Sequence, residues 1–339
     1  MKNNILCKKC VLPESPPDIY LNEEGVCNLC VEHEKTQEKM KSEKILETDF
    51  IKILDKHKSK SEYDCLVMCS GGKDSTAALY FMKERYKKNP LAFTFNHGFE
   101  TEEALDNIHK AADTLGVDFL YFKSDYMKEM FAEVVKTEAS AVICHLCSIW
   151  YMRLTLGIAR KFNIPIIVAG WTKGQSTTKA LACEIGKTEF SSMADSTRDF
   201  LEKYTKENPK YKDFPISMDE VLAKASRGFK YIIVSPHWFL PYDADEYTAI
   251  IEKEVGWRMP ELSYPAESTN CELNFLSVYL SLKKHGYTHY HVEMSKLIRE
   301  GLMTREDALE KLRINFDEKV LDDVAEKLHC KIEDVDLNI

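Results

Sequence analysis

Residues 64–80, DCLVMCSGGKDSTAALY, constrain the fold of this 339-residue chain more tightly than any other stretch. DCLVMC is a short apolar run, SGGKDS a glycine turn, and STAALYFMKERY a helical pattern, so the order reads strand, turn, helix. Gly71 and Gly72 let the backbone pass close to an anion. The N–H groups that open the helix supply donors and the positive end of its dipole. Lys73 adds a mobile cation, Asp74 can hold Mg2+, and Ser70 and Ser75 offer hydroxyls. An ordinary βα turn with glycines is the alternative, but strand, motif and helix stand in the order a phosphate turn requires. The GxxxxGKS/T loop of kinase-like nucleotide enzymes is absent from the turn.

The same alternation continues. LAFTFNHG predicts a second strand, TEEALDNIHKAADTLG a helix ending at Gly116, VDFLYF a third strand, CSIWYMRLTLGIARKF a helix and IPIIVAGW a fourth strand. Strands alternating with helices of this length imply an α/β fold, a doubly wound and mostly parallel sheet that binds ligands at the carboxyl ends of its strands. The second strand exits at Asn96, His97 and Gly98, and the fourth at Gly170. His97 could equally be a hydrogen-bonded structural residue. Residues 186–230 read as a polar insertion or lid, FKYIIVSPHWF (229–239) as a further strand, and the chain from Asp245 as mainly helical. Thr304, with Glu306 and Asp307 behind it, marks a helix start. The expected organisation is a module at 1–34, a solvated linker helix at 35–62 (the lysine-rich run His33 to Lys60), the sheet domain at 63–260, and a helical region at 261–339.

Eleven cysteines are the excess in the composition. No apolar run is long enough for a membrane span and no secretory signal is visible, so a cytoplasmic, reducing setting is expected, where paired cysteines point to metal or redox chemistry. Cys7, Cys10, Cys27 and Cys30 form two CxxC pairs, the spacing of a closed tetrahedral zinc site. Metal would supply folding energy that so short a segment lacks. A second set is Cys144 and Cys147 at a helix start, with Cys271 far downstream. Three thiolates can hold a 4Fe–4S cluster with one iron left open. Zinc helped by His145 or His97, a thiol/disulfide pair, and plain core cysteines are the alternatives. Cys65, Cys69, Cys183 and Cys330 read as core or surface residues.

SGGKDS resembles the PP-loop of the ATP pyrophosphatases, the adenine nucleotide α-hydrolase superfamily. The resemblance implies that Ser70, Gly71, Gly72, Lys73, Asp74 and Ser75 grip the pyrophosphate part of ATP, that Asn96 and Gly98 lie where adenine is held, and that Gly170 lines the nucleotide pocket. In that superfamily a substrate oxygen attacks the α-phosphate, pyrophosphate leaves, and a nitrogen or sulfur nucleophile displaces AMP. Cys144, Cys147 and Cys271 resemble the three-cysteine set of the iron–sulfur-dependent tRNA thiolation enzymes. CKKCVLPESPPDIYLNEEGVCNLC and LIREGLMTREDALEKL resemble the two ends of bacterial N-acetyl sugar amidotransferases, PP-loop enzymes that take ammonia from a glutaminase partner. An ammonia reaction leaves the second cysteine set without a role.

The reading that follows is an ATP-dependent sulfur transferase, with Lys73, Asp74, Cys144, Cys147 and Cys271 catalytic. Its cofactors would be ATP, Mg2+, Zn2+ and a 4Fe–4S cluster. An ammonia-using sugar amidotransferase is the alternative, and a nucleotide-binding sensor without turnover is disfavoured by the intact loop. A net charge of −9 favours a small or carrier-tethered substrate over tRNA. A sulfur donor or glutaminase partner and a homodimer are further expectations, and Lys173, Gln175, Arg198 and His237 are candidate substrate contacts.

Overall fold

A computed structural model describes residues 5–40, 47–137, 139–175, 180–181, 191–241, 243–265 and 270–332. The order is α1 (Asn28–Met40), α2 (Glu47–Lys56), β1 (Cys65–Met68), α3 (Lys73–Tyr80), β2 (Pro90–Asn96), α4 (Glu102–Leu115), β3 (Asp118–Lys123), α5 (Lys128–Lys136) and α6 (Ile143–Phe162). After these come β4 (Ile166–Val168), β5 (Ala180–Leu181), α7 (Ser191–Glu207), α8 (Met218–Ala225), β6 (Ile232–Val234), α9 (Ala244–Val255), α10 (Leu273–His285), α11 (His289–Arg299), α12 (Arg305–Lys311) and α13 (Glu318–Lys327).

The strands form one sheet in the order β3-β2-β1-β4-β6-β5, parallel throughout except for β5. Side chains alternate across its faces, as period-two geometry demands. Leu66, Phe93, Ile167 and Ile233 enter one core, which is covered by residues of α5, α6, α8, α10 and α13. Val67, Ala92, Val168 and Val234 enter the other, under α2, α3, α4 and α9. Burial on both faces explains why these strands read as continuous apolar runs. The order reverses around β1, whose carboxyl end carries SGGKDS. That end is the crevice where such sheets bind ligands.

Helix limits follow local chemistry. Thr101 caps α4 by accepting from the Ala104 N–H, and Gly116 ends it in the left-handed region at φ 57°. Asp243 and Gly256 do the same for α9, and Thr304 caps α12 as its sequence predicts. Among the described residues no helix is long and apolar enough to cross a membrane.

Three expectations need correction. The run 33–60 is not one solvated helix: α1 begins inside the cysteine module, and α2 buries Phe50 and Leu54 in the sheet core. Within 191–230 the chain is no loose lid, because α7 and α8 pack on α6 and contribute Leu201, Tyr204, Val221 and Leu222 to the core. The strand predicted at 229–239 is Ile232–Val234 alone, since Pro236 opens a 3-10 turn. Cys183 lies outside the described residues.

Candidate active site

The phosphate turn is held from behind by groups far away in sequence. The Gly71 carbonyl accepts the Trp257 indole N–H at 2.9 Å and the Asn107 amide at 3.3 Å, and the Ser70 carbonyl accepts the Asn270 amide at 2.8 Å. Inside the turn, Ser75 Oγ accepts from the Ser70 N–H at 3.1 Å and donates to the Gly72 carbonyl at 3.1 Å. Gly71 sits at φ +78°, and a Cβ there would lie 2.7 Å from the carbonyl carbon of Ala104, so only glycine fits. A Cβ on Gly170 would lie 2.6 Å from Ser75 N, so β4 passes directly against the first turn of α3.

Lys73 is buried and Asp74 half-buried, their ionised groups 3.2 Å apart. The Tyr247 hydroxyl donates to Asp74 Oδ1 at 2.5 Å, and His237 Nε2 meets the Asp74 carbonyl at 2.8 Å. Burial alone would push the Asp74 carboxyl up, but the positive charge of Lys73, His237 and the Tyr247 hydroxyl outweigh it and hold the group below its ordinary range. Beside this pair opens a cavity of about 760 Å³, within the size range of small-molecule sites, lined by Lys73, Asp74, Thr172, Asp243, Tyr290 and Glu293. Glu293 accepts from the Thr172 hydroxyl at 3.1 Å and the Gln175 amide at 3.3 Å. Burial, then the nearby Asp74, raise its carboxyl to about 7.

Asn96 uses its side chain on its own turn, accepting from the Gly98 N–H at 2.6 Å and donating to the Tyr121 hydroxyl at 2.8 Å. Gly98 takes φ +94° beside open space. His237 and Gln175 lie at the site, and Lys173 shares the turn of Gln175. Arg198 does not: it pairs with Asp195 on the half-exposed face of α7.

The second cysteine set converges beside the turn. Cys144 and Cys147 occupy the first turns of α6, and Cys271 precedes α10. All three thiols are raised by burial, and Cys271 further by Glu100, Cys147 and Cys144 in that order, so the three stand close enough to feel one another's charge. Asn270, which holds Ser70, also reaches Glu100 at 3.4 Å. Tyr290, which lines the nucleotide-side cavity, is raised by burial and then by Cys144 and Glu293. Cys271 thus directly follows the residue that holds the Ser70 carbonyl, and none of the three thiols lines the cavity beside Lys73 and Asp74.

Among the described residues, two groups bring all their donor atoms within 4.8 Å of one another: Cys7, Cys10, Cys27 and Cys30, and His97, Glu100 and Cys271. Cys144, Cys147 and Cys271 form no such group, so as placed they are too far apart for a single ion. In the module, Cys7 and Cys30 sulfurs are 4.0 Å apart and those of Cys10 and Cys27 3.6 Å. Tetrahedral zinc with Zn–S near 2.3 Å puts its sulfurs about 3.8 Å apart, so the four buried thiols fit that ion.

Trp257, Asn107, Asn270, Tyr247, Glu100 and Glu293 escape the sequence reading. Glu100 alone carried a signal, a carboxylate just past the exit of the second strand.

Residues 64–219 match the family model described as queuosine biosynthesis protein QueC, and residues 269–336 the one described as LPS biosynthesis protein WbpG-like, C-terminal domain. An uncharacterized protein of Methanocaldococcus jannaschii, MJ1599, is 23% identical over 256 residues, which span 75% of this chain and 74% of that protein. Among solved structures, the U34-tRNA thiolase NcsA from Methanococcus maripaludis with its 4Fe–4S cluster covers 92% of both chains at 15% identity and a TM-score of 0.33. NMN synthetase from Francisella tularensis covers 75% of this chain and 83% of its own at 12% identity and a TM-score of 0.37. The NH3-dependent NAD synthetase of Campylobacter jejuni covers 68% and 99%, at 16% identity and a TM-score of 0.32. The resemblance to PP-loop ATP pyrophosphatases thus stands over residues 64–219, and the helical region is similar to a WbpG-like C-terminal domain over 269–336.

Proposed function

We propose, from a PP-loop domain at residues 64–219, that the protein is an ATP-dependent enzyme that adenylates a substrate carbonyl oxygen and replaces that oxygen with sulfur. The observation that carries the reading is the seat of Cys271, which follows the residue whose amide holds the Ser70 carbonyl of the phosphate turn and is bridged to Glu100 past the exit of β2.

The turn and the α3 N-terminus bind the β- and γ-phosphates, leaving the α-phosphorus open to the substrate oxygen. As the new P–O bond forms, the bond to pyrophosphate breaks, and Lys73 stands where the departing negative charge collects. Tyr247 and His237 hold Asp74 in place for a Mg2+ that would shield that charge. Sulfur then bonds to the activated carbon as AMP leaves with the original oxygen. Three thiols that gather no single ion's donor set suit a 4Fe–4S cluster, which would carry sulfide delivered by a separate donor. Burial of the cleft limits hydrolysis of the adenylate. The substrate on this reading is small or carrier-tethered, given a net charge of −9.

A second reading has its own support. The resemblance of both ends of the chain to N-acetyl sugar amidotransferases implies a sugar substrate, ammonia as the displacing group and a glutaminase partner, and a match at 269–336 to an LPS biosynthesis protein suits such a substrate. Iron, acid-labile sulfide and zinc counted per chain after anaerobic purification separate the two. About four iron and four sulfide beside zinc are expected, lost in Cys144→Ser, Cys147→Ser and Cys271→Ser. Zinc without iron or sulfide, even after reconstitution, would overturn sulfur transfer in favour of the amidotransferase.

A further inference from the structure

We propose that His97, Glu100 and Cys271 form a binding site for a single divalent cation of the zinc class, distinct from the four-thiol module. The spacing matches. His97 Nε2 lies 3.4 Å from Glu100 Oε1 and 3.7 Å from Cys271 Sγ. A tetrahedral ion with nitrogen and oxygen near 2.1 Å and sulfur near 2.3 Å holds those pairs about 3.4 Å and 3.6 Å apart. Three donors of this kind leave one position open, the arrangement of catalytic rather than structural zinc.

The backbone sets this spacing without the ion. Glu100 and Cys271 are partners in an antiparallel bridge. On either side of it the Thr101 N–H donates to the Asn270 carbonyl at 3.1 Å, and the Glu272 N–H to the Phe99 carbonyl at 2.8 Å. His97 sits three residues before Glu100 at the end of β2, so the donors come from two segments tied to each other.

Charge and hydrogen bonding point the same way. The side chains of His97 and Glu100 are 2% and 9% exposed. Among the described residues no lysine or arginine pairs with Glu100; its neighbours are His97 and the Asn270 amide. A cation held there would give this carboxyl group the counter-charge that no lysine or arginine supplies. The Nδ1 atom of His97 is buried without a hydrogen-bond partner, so the polar contacts given for the ring run through Nε2, toward Glu100 and Cys271.

Cys271 belongs to this site and to the three-thiol set of the proposed function, so the single ion and a cluster exclude each other. The two rest on different residues: the ion needs His97 and Glu100, the cluster Cys144 and Cys147. The ion site does not depend on the sulfur-transfer reading.

The test is cobalt(II) loading of the full-length, chelator-stripped protein under anaerobic conditions, read as bound ions per chain and as sulfur-to-cobalt charge-transfer absorption. About two ions per chain are expected in the unaltered protein, falling to about one in His97→Ala and in the near-isosteric Glu100→Gln, and remaining near two in Cys144→Ser. The four-thiol absorption, retained in every variant, reports that the chain is folded. One ion per chain in the unaltered protein overturns the proposal, as does a second ion indifferent to Glu100→Gln or lost equally in Cys144→Ser. Iron and sulfide reconstitution of the same variants reports separately on the cluster: it should fail in Cys144→Ser and persist in Glu100→Gln.

Discussion

Gly170 and Ser75 are separated by nearly a hundred residues yet leave no room for a methyl group between them. Gly170→Ala forces the α3 N-terminus away from β4, because the new Cβ would lie 2.6 Å from Ser75 N and Cα. The expected cost is about 1–3 kcal/mol, with weaker ATP binding, measured by thermal melting and by nucleotide titration. Glu293 gives a pH-dependent outcome. Its carboxyl is raised to about 7 in the folded chain, so as pH climbs from the unfolded value of 4.5 the unfolded chain loses its proton first and stability falls. Glu293→Gln lacks that loss. Denaturant titrations at pH 5 and pH 7.5 should show the variant gaining on the parent by on the order of 1–3 kcal/mol. At this scale the sequence declares residues whose chemistry is unusual where they stand, such as the glycines and serines of the turn and the paired cysteines. Asn107, Trp257 and Asn270 stay silent because their hydrogen bonds are ordinary ones, whose meaning lies in a carbonyl elsewhere.

Helices α11 and α12 are fastened to the cysteine module. Arg305 donates to the Cys7 carbonyl at 3.2 Å and the Cys10 carbonyl at 3.0 Å, and the Val11 N–H donates to Ser295 Oγ at 3.3 Å. The same α11 presents Tyr290 and Glu293 to the cavity, though none of the four module cysteines lines it. Arg305→Ala should lower stability by about 1.5–3 kcal/mol, since charge-assisted bonds to buried carbonyls are lost. Cys10→Ser, which removes a ligand from the module, should lower the melting temperature and also weaken ATP binding by about fivefold or more, read by calorimetric titration. Unchanged ATP affinity in a destabilised Cys10→Ser protein would mean that the module does not hold the cleft's wall. Strands β1, β2 and β3, and helices α4, α9, α10 and α12, are legible because apolar runs and caps coincide. Helices α5 and α13 are not, because their amphipathic patterns are short and lack glycine stops. The buried face of α2 is hidden by the lysines around it.

The cavity beside Lys73 is a property of the whole chain: Lys73 and Asp74 at the carboxyl end of β1 form one side, and residues of α11 and α12, over two hundred residues later, form the other. The doubly wound sheet is legible from alternation alone, but the meeting of the Glu100 and Cys271 segments is not, because a single bridge leaves no periodic trace. With a net charge of −9, turnover of a small or carrier-tethered substrate should respond weakly to ionic strength. A log–log salt slope near −0.7 to −0.9 per phosphate contacted would instead identify a nucleic acid substrate. The clamp of Arg305 on Cys7 spans 298 residues. At synthesis rates of about 5–20 residues per second, Cys7 waits roughly 15–60 s on the ribosome for its partner to be made. That side of the cavity is thus completed among the last steps of synthesis, and a chain interrupted before residue 289 carries a phosphate turn whose facing wall has not yet been made.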